Sequence, residues 1–359
     1  MRLATVGIES PLGLTPRVVA EVADSQSDAP RLVDVTAAGE LWWLSQGSGD
    51  PVRWAAATFP PDLTALLRGG RRALEMAVEA IELAGSQPAN AEAPSGSRLR
   101  YRPDEVERLP LLRPPLLRDF YAFEEHVAAG ARRRGEPIPE PWYRRPVYYK
   151  GNPATLLAPG AEVPWPAYTD ALDYELEVAC VLLSGGRDLS VAAAQEAIAG
   201  YAVFCDFSAR DIQADEMRVW LGPAKSKDFA SGLGPWLVTA DELGDPAQLE
   251  VSAYLNGERV AQARLSEARW SFAEMVSYAS GAEPLEAGEV LASGTVGGGS
   301  GQERGRLLEP GDRIECELEG AGRLVHVIGP RHGGGGHLVP RPPPGLSRGT
   351  GYNQVPRIG

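Results

Sequence analysis

The sequence predicts a β-rich α+β fold, with a mixed-sheet main domain behind a small leading α+β domain. Three observations carry this. Short apolar runs bounded by turns recur from Arg98 to Gly329, and helical stretches there are fewer. A stretch of small, polar and Pro residues, 86–97, sets that region apart and reads as a linker or long surface loop. Residues 1–85 combine strand candidates with an amphipathic helix. Many strands with few helices argue against a doubly wound sheet.

In the leading segment, strands are expected at 3–8 and 32–35. Leu63, Leu66, Leu67, Leu74, Met76 and Ile81 recur at near-helical spacing through 61–83, and Gly69-Gly70 splits that pattern into two helices. In the main domain, 98–329, strands are expected at 147–149, 172–183, 201–207, 234–238, 249–256, 289–292 and 313–319. Helices are expected at 191–199, about 209–216, and 272–279. The tail, 330–359, holds a Gly run at 333–336 and Pro340-Arg-Pro-Pro-Pro344, a composition that cannot build a core. It is expected to be disordered, and its His332 and His337 make a poor metal site on such an arm.

Composition narrows the function class. The 359 residues are 43% hydrophobic and 23% charged, ordinary for a soluble globular protein. A net charge of −13 disfavours nucleic acid and anionic membranes as partners. Arg132-Arg-Arg134 reads as a solvated helix end. Three cysteines without CxxC spacing argue against a disulfide framework or a zinc site and fit a reducing compartment. Cys180 and Cys205 lie in apolar runs and read as buried thiols. The first residues lack a signal peptide's apolar stretch and no run reaches membrane-spanning length, so the cytoplasm is the expected location.

Four carboxylates carry the chemistry: Asp119, Glu175, Glu177 and Asp206. Oxygen ligands from separate elements suit a hard dication such as Mg²⁺, Mn²⁺ or Ca²⁺. Glu175 and Glu177 alternate with Leu172, Tyr174, Leu176 and Val178, so on a strand they share a face. A strand with one wet face would show the same pattern. Asp173 lies on that acidic face too, and spacing does not say which acids are ligands. Asp206 ends the apolar run Ile198–Cys205, where an acid must be paired, metal-bound or at a strand mouth. Ser208-Ala-Arg-Asp211 then reads as a capping box, with Asp211 serving the helix start and Arg210 and Gln213 sharing a helix face near Asp206. His126 follows Asp119 closely; the bland alternative is a helix-surface histidine. Lys227 is the usual surface lysine unless the carboxylates need a counter-charge. The loop Gly297-Gly-Gly-Ser-Gly301 lacks a P-loop's ending and reads as a backbone contact to a small ligand. No G-x-S-x-G elbow of a serine hydrolase is present.

Together these segments resemble the fumarylacetoacetate hydrolase family. The matching pieces are Arg118-Asp-Phe-Tyr-Ala-Phe-Glu-Glu-His126, Leu172-Asp-Tyr-Glu-Leu-Glu177, Asp206-Phe-Ser-Ala-Arg-Asp-Ile-Gln213, Leu221-Gly-Pro-Ala-Lys-Ser-Lys227, Ala292-Ser-Gly-Thr295 and Leu308-Glu-Pro-Gly-Asp312, in family order. The resemblance implies a mixed β-roll catalytic domain in a homodimer. It implies a metal, Mg²⁺, Ca²⁺ or Mn²⁺, held by Asp119, Glu175, Glu177 and Asp206. By the same match, His126 is the general base and Glu309 the acid that orients it. Arg210, Gln213 and Lys227 bind the substrate's oxygens, and Tyr121, Tyr149, Gly294 and Thr295 line the substrate. Arg134 matches a further substrate ligand of some members.

The expected activity is metal-dependent hydrolysis of a C–C bond in a 1,3-dioxo acid of fumarylacetoacetate or acylpyruvate type, as in the catabolism of aromatic compounds and amino acids. A decarboxylase, hydratase or isomerase of 2-oxo acids is the alternative on the same fold, and a non-catalytic metal-binding protein the alternative outside enzymes. Val147-Tyr-Tyr-Lys-Gly-Asn152 departs from fumarylacetoacetases, which carry a Gly and a His-Gly-Arg there. That places the difference at the substrate's far end.

Overall fold

Among the described residues, a mixed sheet of twelve strands runs through the leading and main segments alike. In this computed structural model, residues 1–10, 13–23, 30–88 and 90–331 are described. The expected tail, with His332 and His337, lies outside the described residues from 332 onward.

From one edge, the sheet order is Arg100–Tyr101, Arg31–Asp34, Gly13–Val22, Arg2–Ser10, Ser231–Thr239, Ile198–Asp206, Leu176–Leu182, Val290–Ala292, Leu117–Phe120 and Tyr148–Gly151. The strand Arg2–Ser10 pairs antiparallel with Ser231–Thr239, with Arg2 opposite Val238 and Leu3 opposite Leu237. The boundary expected at 86–97 is therefore no break in the sheet. The reason is hydrophobic: the helices of the first segment cover the same sheet face as the central strands. Phe59, Leu63, Leu66, Leu67 and Leu74 share one core with Ala179, Val181, Phe204, Leu233 and Leu237. Residues 90–97 form a packed surface loop, with Ala93 buried against Ala37 and Leu99, and the Ser95 N–H donating to Glu40 at 2.8 Å.

The helical pattern of 61–83 does split, into Leu63–Arg68 and Gly70–Gly85. Two helices escaped the periodicity, Val35–Ser45 and Pro51–Thr58. Each is opened by an aspartate: the Asp34 carboxylate accepts from the Thr36 and Ala37 N–H groups at 2.9 and 3.0 Å, and Asp50 accepts from Arg53 N–H at 3.2 Å.

A second sheet, in the order Glu258–Arg264, Glu250–Leu255, Arg313–Leu318, Gly322–Arg331, Glu162–Trp165, packs on the other side. Val251, Ala253, Ile314, Leu324 and Ile328 join Val178, Cys180, Tyr201, Val203 and Cys205 in that core. The central strands Leu176–Leu182 and Ile198–Asp206 are thus buried on both faces. The alternating acids of 172–178 do not mark a wet face. All three cysteines are free and buried. No helix of the described residues is long and apolar enough to cross a membrane.

Two features of the backbone build the site. The strand expected over 172–183 is interrupted at Tyr174-Glu175: Leu172–Asp173 pairs with Ser208–Ala209 in a separate ribbon, and Leu176–Leu182 joins the large sheet. The sheet also curls. Leu156–Leu157, shortly after Tyr148–Gly151, pairs in parallel with Ser231–Thr239, which brings the outer strand back over the centre. This is the rolled, sheet-dominated α+β architecture expected.

One buried cation supports the roll. Arg118, fully buried, is held by Glu289 and by Glu283 at 2.6 Å, with Lys150 also on Glu283 at 3.2 Å. Arg118→Met would leave the Glu289 carboxylate buried without its cation. A loss of ~3–5 kcal/mol of stability is expected, read by urea unfolding; a change below ~1 kcal/mol would refute this account.

Candidate active site

The site lies where strand ends meet the interruption at 174–175. Leu117–Phe120 supplies Asp119, Leu176–Leu182 supplies Glu177, and Ile198–Asp206 ends in Asp206. Each of these three buried carboxylates places an oxygen within 4.8 Å of the others. Tyr149, opposite Asp119 in the sheet, donates its hydroxyl to Asp206 Oδ2 at 2.7 Å. Gly294 N–H and Thr295 Oγ1 donate to Glu177 at 3.0 and 3.2 Å. Gly294 has φ +81°, and a Cβ there would lie 2.4 Å from the Phe120 carbonyl oxygen. Only glycine lets this loop close on the strand that carries Asp119.

Glu175 is not among the three. Its carboxylate accepts from Arg210 Nη1 at 2.7 Å and from Lys227 Nζ, and Lys227 also donates to Asp206 Oδ2 at 2.5 Å. The fourth expected ligand is thus an anion held by two cations beside the triad. The physical reason is the strand interruption, which frees Glu175 from the register of Glu177. Gln213 accepts from Arg210 Nη1 at 3.0 Å, and the two share a helix face as expected. The capping box does not form. The helix Arg210–Arg218 has Ala209 at its start, Ser208 lies in the ribbon, and Asp211 accepts from Thr169 Oγ1 and Asp170 N–H at 2.5 and 3.1 Å.

His126 is buried on the helix Glu124–Arg134, not on its surface. Its Nδ1 is 2.8 Å from Glu303 Oε2, and its Nε2 faces Glu175 at 3.9 Å. The Tyr121 ring stands edge-on to the imidazole at 5.4 Å. The expected partner, Glu309, is an exposed residue of the turn before Asp312, and its backbone makes that turn: its N–H donates to the Asp312 carboxylate at 2.8 Å and its carbonyl accepts from the Asp312 N–H at 3.0 Å. Glu303 replaces it because the Gly-rich loop ends in a short helix, Gly301–Arg304, that turns this side chain inward. Ser300 Oγ accepts from Glu303 N–H at 3.3 Å and donates to its carboxylate at 2.9 Å. The Ser300-Gly-Gln-Glu303 spacing is the capping-box signal that marks Glu303 in the sequence.

Arg134 pairs with Glu136 at 3.2 Å. Arg133 has no ion-pair partner among the described residues, and burial and the nearby Arg210 charge lower its pKa. Both guanidinium groups lie near Tyr121, and the Arg133 group also feels the Arg210 and Glu303 charges. The departing segment 147–152 is tied down: besides Tyr149, Asn152 Nδ2 donates to the Asp228 carbonyl at 3.1 Å.

Electrostatics separate the acids into two groups. Burial, then the charges of neighbouring carboxylates, push Asp119 and Glu177 well above the usual carboxylate range. Burial also raises Asp206, although Lys227 opposes it. Burial would raise Glu175 as well, but Arg210, Lys227 and His126 hold it low. Burial likewise opposes the Lys227 charge, and Asp206 and Glu175 outweigh it, so its pKa is raised. For Glu303, the His126 and Ser300 bonds and the Gly298 N–H overcome burial and keep the carboxylate ionised.

The triad fits a hard dication. Its three carboxylates converge, and Asp119 Oδ1 is buried without a protein hydrogen-bond partner. The neighbouring His–Glu pair places a base within reach of whatever binds there.

A buried acidic cluster at the mouth of a rolled sheet, with a carboxylate-oriented histidine beside it, defines an enzyme-type site. The chain belongs to the fumarylacetoacetate hydrolase family: the model of the fumarylacetoacetate (FAA) hydrolase C-terminal domain matches residues 116–328. An uncharacterized protein of Pyrococcus horikoshii is 30% identical over 205 residues, covering 56% of this chain and 84% of that protein. The oxaloacetate tautomerase YisK of Bacillus subtilis is 32% identical over 194 residues, 54% of this chain and 62% of that one. Among solved structures, the fumarylacetoacetate hydrolase of Exiguobacterium antarcticum superposes with a TM-score of 0.65 over 92% of this chain and 99% of that chain, at 23% identity. Members of the family are enzymes.

Proposed function

We propose that this chain is a hydrolase that cleaves a C–C bond of a 1,3-dioxo acid. The observation that carries the reading is the His126–Glu303 pair set beside the Asp119–Glu177–Asp206 triad. Asp119, Glu177 and Asp206 would hold Mg²⁺, Mn²⁺ or Ca²⁺, which when bound supplies a Lewis acid for the substrate's oxygens. Glu303 accepts the Nδ1 proton of His126 and leaves the Nε2 lone pair free to take a proton from water. The hydroxide so formed adds to the carbonyl carbon. Arg210 and Lys227 donate toward the negative oxygen that develops. The C–C bond then breaks, and the leaving carbon departs as an enolate that takes the proton held on His126 Nε2. Arg133 and Arg134, both near Tyr121, offer cations for an acid group of the substrate.

Tautomerisation of a 2-oxo acid is the second reading, favoured by the likeness to oxaloacetate tautomerase YisK. There Nε2 would take a carbon-bound proton and return it to oxygen, with no water consumed. The test mixes the purified protein with fumarylacetoacetate, acylpyruvates and oxaloacetate, with and without EDTA. EDTA-sensitive loss of dioxo absorbance with formation of two acids supports hydrolysis. Accelerated enol–keto exchange of oxaloacetate alone supports the second reading, and neither activity sinks both. The proposal includes a homodimer, carried over from the family resemblance; light scattering at the mass of one chain would remove that part.

A further inference from the structure

We propose that Asp173 is a positioning residue that locks the Arg210 guanidinium and the Glu303–His126 pair into one rigid arrangement. This rests on the roles assigned above to Arg210 and His126.

Asp173 is fully buried and stands where the strand is interrupted. Its oxygens are all engaged, so it has no lone pair to spare for the triad. Oδ2 accepts from Arg210 Nε at 2.7 Å, with Nη2 also 2.7 Å away, so one edge of the guanidinium is gripped. The other edge is left to Glu175 and Gln213. Oδ2 also accepts from the Gln302 N–H at 3.0 Å, and Oδ1 from the N–H groups of Gly301 and Tyr174 at 2.8 and 2.9 Å. Gly301 and Gln302 immediately precede Glu303. A single carboxylate therefore fixes a substrate-facing cation and the backbone that aims Glu303 at His126.

The fit is close. A Cβ at position 301 would lie 2.4 Å from Asp173 Oδ1 and 2.3 Å from the Arg306 carbonyl oxygen. The glycine lets the loop settle onto the carboxylate. A charged acceptor suits this place because it receives hydrogen bonds from a cation on one side and from peptide N–H groups on the other. An amide cannot do both: turning its NH₂ to either side sets donor against donor.

Asp173→Asn tests this in the full chain. With only four histidines in the sequence, ¹⁵N-histidine labelling gives a readable low-field Nδ1–H signal for His126, assigned by its loss in Glu303→Gln. Asp173→Asn is expected to shift or broaden that signal. It should lower kcat by about 100-fold, the order that a misplaced catalytic group costs, with a smaller change in KM. Mg²⁺ affinity by calorimetry should stay within about twofold, since the triad is untouched. Should Asp173→Asn fail to fold, Gly301→Ala disturbs the same contact from the other side and is expected to move the same signal. An unchanged His126 signal in a folded variant would overturn the proposal, as would Mg²⁺ affinity falling in step with kcat. If the wild type turns over no oxo acid, the functional reading fails, and the His126 signal alone decides the structural link.

Discussion

Glu303→Gln is expected to lower kcat by about 10²–10⁴-fold, the range supplied by a positioned general base, while Glu309→Gln leaves it within about twofold. The contrast follows from geometry. Glu303 accepts from His126 Nδ1 at 2.8 Å and is itself oriented by Ser300 Oγ and the Gly298 N–H. A glutamine there can turn its NH₂ toward His126, which favours the tautomer with the proton on Nε2, the nitrogen that must be free. Glu309 touches no member of the site. Steady-state kinetics on whichever of the oxo acids above the protein turns over check both, and His126→Ala should match or exceed the Glu303→Gln loss. Equal effects of the two glutamine variants would remove the dyad as drawn.

Asp119→Asn is expected to act oppositely on the metal-free and metal-loaded protein. Without metal, Asp119, Glu177 and Asp206 repel one another in a buried space, with Lys227 as the cation in contact. Removing one charge relieves that repulsion, so the metal-free Tm should rise. In the wild type, saturating Mg²⁺ should stabilise the fold by ~2.7 kcal/mol at a hundredfold excess over Kd, and the variant should lose most of this. The pH sign follows from the same groups. The folded pKa values of Asp119 and Glu177 are raised above their unfolded values by burial and mutual repulsion. The folded state then binds more protons, and stability falls as pH rises from ~4 through the raised values. Metal-free protein should therefore be stabilised by mild acid in that window, and Asp119→Asn should flatten the effect. Calorimetric scans with EDTA or Mg²⁺ across pH check all three. A lower metal-free Tm in the variant would mean that Asp119 is held by favourable contacts that the structure does not contain.

How much of this was legible differs residue by residue. Asp206 was readable because a carboxylate closing an unbroken apolar strand has few bland explanations, and Arg210 and Gln213 followed by helical spacing. His126 was readable only with the family motif, since nothing in Glu124-Glu-His126 announces a buried face. Glu175 was tied to a metal only by the family motif: period-two alternation puts it on one face with Glu177 but assumes an unbroken strand, and the ladder breaks there. Glu303 was missed although Ser300-x-x-Glu303 is a capping signal, because the Gly run around it reads as an irregular loop. Arg118 had no signal at all: a buried arginine is defined by Glu283 and Glu289, far along the chain.

By itself the sequence determined the β-rich class, the two split helices of 63–85, the family, and the set of acids from which a metal site is drawn. These depend on local pattern and on motifs carried within single segments. Which acids converge, which glutamate orients His126, and that the leading strands extend the main sheet were decided only by the tertiary structure. Convergence depends on how the sheet curls and where one strand is interrupted, and both are set by burial on two faces at once, between residues that sequence order keeps apart.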